Sequence, residues 1–122
     1  MEGEANEAAR SSARQDTAAD EPVIYEATRA TDGTGAVSCG AELDVAAAIQ
    51  RRRNGEDVVV CGSNKTKNYK VATTIETQVG RWVRHLKHTL SAGVSALPHL
   101  QQLNPPPDGH TFYETENAKA RR

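Results

Sequence analysis

One short apolar run constrains the fold of this chain more than any other stretch. It spans Asp57 to Cys61 and reads DVVVC, so three β-branched residues follow one another without a polar interruption. A strand with one face in water alternates apolar and polar side chains, whereas an unbroken β-branched run is typical of a strand buried on both faces. We therefore predict that this run is the central strand of a sheet.

Two helical patterns flank this run. Glu42 to Arg53 has acidic residues in its first turn and ends on three arginines, Arg51 to Arg53, as the helix dipole favours. Asn54-Gly55 then supplies residues that end a helix. Lys65 to Val79 repeats apolar residues at helical spacing, with lysines and threonines on its other side. The sequence therefore predicts two main helices.

Further strands are predicted on both sides of the helices. Val23 to Thr28 has the content of an edge strand, and Ala36 to Cys39 is a second short extended piece. His110 to Glu114 predicts a last strand, with His110, Phe112 and Glu114 on one face. The order of elements predicts a small α+β domain with a short central sheet. A helix between strands favours a parallel pair, but the direction of the last strand cannot be read from the pattern.

The chain divides at Pro22. Residues 1–22 contain no Val, Ile, Leu, Phe, Tyr or Trp, so they have too little apolar surface to offset the entropy of ordering. Six acids and two bases give this leader a charge of −4, whereas ten acids and thirteen bases give the remainder +3. We predict a disordered acidic leader over 1–22 and one mildly basic domain over 23–122. That charge is compatible with a polyanionic substrate or an acidic partner.

Several classes of protein are disfavoured. No apolar stretch approaches a membrane span, and the N-terminus lacks the layout of a signal peptide. Two cysteines are too few for a disulfide framework, and we expect Cys61 to be a buried thiol. The letters CGSNKT resemble a phosphate-binding loop, but Asn64 stands where that loop needs a glycine before its lysine. We expect no cofactor.

The segment from Leu97 to Glu114 carries the candidate chemistry. It holds His99, His110 and four of the five prolines. Two imidazoles beside turns and joined by a loop can act as a general acid and base, although a histidine beside a proline turn is also a common surface group. Both interpretations stay open from the residues alone. His85 and His88 would share one face of a helix, but no acidic or cysteine partner stands at ligand spacing, so no metal site is predicted.

The region from Ala41 to Arg122 resembles a known family. Its helix, DVVVCG strand, lysine-rich helix, ALPHLQQ segment and terminal GHTFYET are similar to the small C-terminal toxin domains of bacterial polymorphic toxins, of the Rhs-type and contact-dependent systems. In the resemblance, His99 matches a Pro-His position and His110 a Gly-His position. The resemblance implies a nuclease that is delivered as part of a longer protein into the cytoplasm of a target cell. It also implies a cognate immunity protein, expected to be acidic.

On this basis we expect metal-independent cleavage of RNA, with His99 as base and His110 as acid. The additional candidates are His88 and Tyr113 as acid–base groups and Lys87, Arg84 and Lys65 as phosphate-binding cations. One alternative is a non-catalytic interaction domain, or a degenerate toxin, whose basic face binds an acidic protein. Another is a metal-dependent nuclease that uses the histidines as ligands. No contact with a membrane is expected.

Overall fold

The computed structural model describes residues 21–85 and 96–122. In chain order the elements are β1 (Val23–Arg29), β2 (Val37–Leu43), α1 (Val45–Arg53), β3 (Val58–Cys61), α2 (Lys65–Val79), β4 (Trp82–His85), β5 (His99–Gln102) and β6 (Thr111–Tyr113). Two helices and a mixed sheet confirm the predicted α+β class. Most of the predicted leader, residues 1–20, lies outside the described residues. Within the described ranges, no helix is both long and apolar enough to cross a membrane.

The six strands form one sheet in the order β2-β1-β3-β6-β5-β4. Every neighbouring pair is antiparallel except β3 and β6, which run parallel with Val58 opposite Thr111. All four residues of β3 are buried. The predicted central strand is therefore confirmed, and its parallel partner is the last strand of the chain.

Two predictions in the first half of the chain were wrong in detail. β1 is not an edge strand, because it lies between β2 and β3. The predicted helix start at Glu42 is also wrong, since β2 continues to Leu43 and α1 begins at Val45. Asp44 is the N-cap, where its side chain accepts a hydrogen bond from the Ala47 N–H at 2.8 Å. A carboxylate that satisfies a free N–H of the first turn sets this boundary.

The segment after α2 holds two strands that the sequence did not predict. β4 and β5 pair as antiparallel neighbours, with His85 opposite His99. His85 is therefore in a strand, and the suggestion that it shares a helix face with His88 does not hold for it. His88 itself lies outside the described residues. The predicted bounds of α2 are confirmed.

The two faces of the sheet are covered differently. The helices pack on one face, where the core includes Val58, Val60, Ile75 and Tyr113. On the other face, a second core joins residues of the strands to the C-terminal tail; its members include Val59, Cys61, Phe112, Ala118 and Ala120. Successive residues of β6 point to opposite faces, as in any strand. The alternation predicted for this strand is thus present, and Cys61 is buried as expected.

Candidate active site

Parallel pairing of β3 and β6 places Asp57 beside His110. Asp57 precedes β3 and His110 precedes β6, and the first residues of the two strands are opposite each other. The backbone N–H of His110 donates a hydrogen bond to Asp57 Oδ1 at 2.8 Å. The ring atom Nδ1 of His110 lies 3.7 Å from the same oxygen. One carboxylate therefore contacts both the backbone and the ring of this histidine.

Antiparallel pairing on the other side of β6 adds two more imidazoles. His99 is opposite Phe112 of β6, and His85 of β4 is opposite His99. The ring centroids of His99 and His110 are 4.4 Å apart, edge to face. The ring of His85 stacks on His99 at 5.5 Å. Three imidazoles thus form a row on the face opposite the helices, with His99 in the middle.

His99 is held in its neutral form. Burial, together with the neighbouring charge of His110, lowers its pKa to about 4. Within the described part of the chain, the Nδ1 atoms of both His99 and His110 are buried without a hydrogen-bond partner. A neutral imidazole can accept a proton, which is the form that a general base requires. Because Nδ1 is buried, Nε2 is the ring nitrogen that would meet a substrate proton.

Arg29 completes the polar surroundings of Asp57. Its Nε donates to Asp57 Oδ2 at 2.8 Å, and its side chain is 55% exposed whereas that of Asp57 is 10% exposed. Burial alone would raise the pKa of Asp57, but the nearby ring of His110, the hydrogen bond from its backbone N–H and the charge of Arg29 outweigh burial and hold that pKa below its usual value. Because Nε is only one of five N–H donors on a guanidinium, the exposed remainder can bind an anion beside His110.

A buried ion pair lies beneath the site, on the helix side of the sheet. Arg52 of α1 donates from Nε to Glu76 Oε2 of α2 at 2.6 Å, and both side chains are 0% exposed. Glu76 also accepts from Thr111 Oγ1 at 2.6 Å and from Gln102 Nε2 at 2.8 Å. The helix dipole alone therefore does not account for the arginines that end α1, since Arg52 is fully buried and paired.

The same arginine fixes the backbone that leads into His110. Arg52 donates from Nη1 to the Asp108 carbonyl at 2.7 Å and from Nη2 to the Gly109 carbonyl at 3.2 Å. Gly109 has a φ of +95°, and a Cβ there would lie 2.8 Å from the Gly55 carbonyl oxygen. Only glycine suits this backbone and this close approach. The position of His110 thus depends on a helix that is distant in sequence.

Several predicted site residues are not brought to this row of histidines. Tyr113 is 1% exposed in the helix-side core, and burial raises the pKa of its hydroxyl. Arg84 lies over the ring of Tyr69, 5.5 Å from its centroid. Lys65 follows the carboxyl end of β3, whereas His110 lies beside the amino end. Lys87 and His88 lie outside the described residues.

Asp57 and Arg29 are the site residues that sequence reasoning missed. A signal for Asp57 exists, because it directly precedes the buried run just as His110 precedes the last strand. Residues that precede neighbouring parallel strands share one edge of a sheet, but this applies only once the two strands are known to be parallel neighbours. Arg29 ends β1 with no local pattern that marks it as a ligand.

Two cavities adjoin the site, and Arg29 lines both. The larger, about 550 Å³, is also lined by Thr28, Arg51 and Asp57. The smaller, about 230 Å³, is lined by Gln101, Pro105, Pro107, Asp108, Gly109 and His110 among others. We refer to the smaller one as the proline cavity. A bound molecule in contact with Arg29 can therefore extend to either side of it.

Comparisons with known proteins add no family to this description. Over residues 21–85 and 96–122, no group of three or more His, Cys, Asp or Glu side chains is arranged to hold a metal ion. The resemblance to polymorphic toxin domains stays a prediction from the sequence. No family model, no curated protein and no solved structure matches the chain.

Proposed function

We propose that this domain is a metal-independent ribonuclease in which His99 and His110 act as base and acid. The observation that carries the proposal is the pairing of their rings at 4.4 Å in unlike surroundings. His99 is half-buried with a pKa of about 4, and His110 lies against the carboxylate of Asp57. Neighbouring groups in different environments are suited to opposite roles in proton transfer.

In the proposed reaction, the phosphoryl group of the RNA backbone is transferred to the neighbouring 2′-oxygen, which cleaves the strand. His99 removes the proton of the 2′-hydroxyl, the 2′-oxygen forms a bond to phosphorus, and the bond from phosphorus to the 5′-oxygen breaks. His110 gives a proton to that departing oxygen. The products are a 2′,3′-cyclic phosphate and a free 5′-hydroxyl. General acid and base catalysis each contribute roughly 10²- to 10⁴-fold in such reactions.

Arg29 and Asp57 support this reaction without exchanging protons with the substrate. The exposed guanidinium of Arg29 binds the phosphate and stabilises the charge that builds on its oxygens. Among the described residues, Arg29 lies closer to the histidines than Arg84 and Lys65, two of the cations expected from the sequence, and Lys87 stays a candidate. Asp57 holds the backbone and ring of His110 and offsets the charge of its imidazolium.

The biological role we propose follows from the resemblance to polymorphic toxin domains. The domain acts as the nuclease effector of a longer toxin, with RNA as its substrate and an acidic immunity protein as its inhibitor. The +3 charge of residues 23–122 suits both partners. Binding of such an inhibitor should weaken as the salt concentration rises.

The test is incubation of the purified chain with total cellular RNA and, separately, with duplex DNA, each with and without EDTA. The proposal predicts RNA cleavage that persists in EDTA and leaves DNA intact. Cleavage that EDTA abolishes favours the metal-dependent alternative. No cleavage of either substrate contradicts the ribonuclease proposal and favours a binding domain.

A further inference from the structure

The proline cavity is open space that the proposed reaction does not yet use. It lies directly beside His110 and Arg29, and its volume is about 230 Å³. Its walls combine the rings of Pro105 and Pro107 with the polar side chain of Gln101. Ligand sites in proteins commonly join apolar walls to a few polar groups that fix orientation. This composition suits a flat ring with hydrogen-bonding edges.

We propose that the proline cavity binds the nucleobase on the 3′ side of the cleaved phosphate and that Gln101 selects adenine over guanine there. The inference rests on the proposed ribonuclease function and names the part of the substrate that the site recognises. Gln101 is then a specificity-determining residue, separate from the acid–base pair.

The side of the cavity assigns the nucleotide that it binds. His110 is the proposed acid, so the oxygen that it protonates belongs to the departing nucleoside, and His110 lines this cavity. Arg29 lines both cavities and is the proposed phosphate ligand. With the phosphate on Arg29, the departing nucleoside lies in the proline cavity, and the nucleoside that carries the 2′-hydroxyl lies toward His99, the proposed base.

The geometry of β5 assigns the recognition to one of two adjacent glutamines. Gln102 also lines the cavity. Its amide nitrogen is already occupied, however, because it donates to Glu76 Oε1 at 2.8 Å on the helix side. Strand alternation places Gln101 on the opposite face, together with His99. Gln101 is only partly buried and lines the cavity, so its amide can meet a ligand.

The chemistry of an amide decides between the two purines. The amide N–H of a glutamine can donate to N7 of adenine, and the amide oxygen can accept from the N6 amino group. Guanine presents two acceptors, N7 and O6, at the same edge, so one of the pairs is lost. Asp108 also lines the cavity, and a carboxylate there would instead accept from the N–H groups of guanine. The preference between adenine and guanine therefore tests which side chain reads the base.

The experiment compares cleavage of dinucleotides that differ only in the 3′ base, CpA against CpG and UpA against UpG, by the full chain. We expect kcat/KM to be about tenfold higher for adenine, as one well-placed amide contact gives. In Gln101→Ala this ratio should fall to about threefold or less. Gln78→Ala, the same change at an exposed position of α2, should keep the wild-type ratio.

The inference and the proposed function fail in different ways. Cleavage of RNA with equal rates for adenine and guanine, or a ratio that Gln101→Ala does not change, overturns the inference and leaves the ribonuclease intact. A preference for guanine also overturns it. If no RNA is cleaved, the proposed function fails. The inference about the cavity is then tested by measuring the binding of adenosine 5′-monophosphate. Binding that is no tighter than that of guanosine 5′-monophosphate, or that Gln101→Ala does not weaken, then overturns the inference.

Discussion

Two clusters of buried polar groups, one on each face of the sheet, differ in their hydrogen bonding. On the helix side, the Arg52–Glu76 pair is fully buried, and Glu76 accepts hydrogen bonds from both Thr111 and Gln102. On the other face, His99 and His110 keep buried Nδ1 atoms that have no partner among the described residues. Buried polar groups are normally satisfied, because leaving one unpaired costs about 1–3 kcal/mol. The contrast separates the ion pair, which stabilises the fold, from the histidine pair, where we place the chemistry. It does not extend to every polar group, because Asn68 Oδ1 in α2 is also buried without a partner among the described residues.

The largest expected effect comes from replacing His99 or His110. Both lie on the sheet face opposite the helices, which we call the histidine face, and we call the other the helix face. In His99→Ala and in His110→Ala, the rate of RNA cleavage should fall by roughly 10²- to 10⁴-fold, because each variant lacks the base or the acid. Tyr113→Phe is the matched control, since Tyr113 lies on the same strand segment but faces the helices. Initial rates on one RNA substrate measure all three, and circular dichroism shows whether each is folded. Near-normal rates in both histidine variants contradict the assignment.

The second prediction breaks the helix face. Arg52→Ala leaves Glu76 as an unpaired buried charge, so it should lower the free energy of unfolding by about 3–5 kcal/mol. Arg53→Ala removes the neighbouring arginine, which is exposed and donates only to the Gln78 carbonyl, and should change stability by about 0.5 kcal/mol or less. Urea denaturation of the two variants provides the measurement. Equal losses show that burial of Arg52 is not what stabilises the fold.

The third prediction concerns pH and the histidine face. The pKa of His99 is about 4 in the folded chain against an ordinary 6.5, so the unfolded chain binds more protons between these values. Stability should therefore fall as the pH drops from 6.5 toward 4, by at most about 3 kcal/mol for this group. Denaturation of wild type and His99→Phe at several pH values isolates the effect. A wild-type curve parallel to that of His99→Phe contradicts the buried neutral state.

The last prediction concerns the stability of the backbone at Gly109, which leads into His110. Gly109→Ala places a methyl group against Arg52 Nη1 and the Gly55 carbonyl, which should cost about 1–3 kcal/mol beyond the strain of a positive φ. Gly33→Ala is the control, because Gly33 also has a positive φ but has nothing within 4 Å of a Cβ. Thermal unfolding should separate the two variants. Equal destabilisation means that the contact with Gly55 does not matter.

The parts of the fold that depend on local pattern were predictable. The β-branched run predicted the buried strand β3, and helical spacing predicted α2 with its observed bounds. Alternation also predicted that Phe112 and His110 share a face. These features follow from contacts between residues that are close in sequence, for which periodicity and caps are sufficient signals.

The arrangement of the site could not be predicted in the same way. The Asp57–His110 contact requires the parallel pairing of β3 with β6, between residues 53 positions apart in the chain. The buried position of Arg52 requires α1 and α2 to pack together. From sequence, an arginine at the end of a helix is normally expected to be exposed to solvent and to interact with the helix dipole. His99 and His110 were predicted as a pair, but their support by Asp57 and Arg29 depends on tertiary contacts that no local pattern encodes.

The most direct test of the central claim is identification of the RNA ends after cleavage in the presence of EDTA. Transfer to the 2′-oxygen by His99 and His110 predicts 2′,3′-cyclic phosphate and 5′-hydroxyl ends from the wild-type chain, and almost none from His99→Ala or His110→Ala. Ends with a 5′-phosphate would contradict the claim that this histidine pair cleaves RNA. So would cyclic ends that both histidine variants form as fast as the wild-type chain.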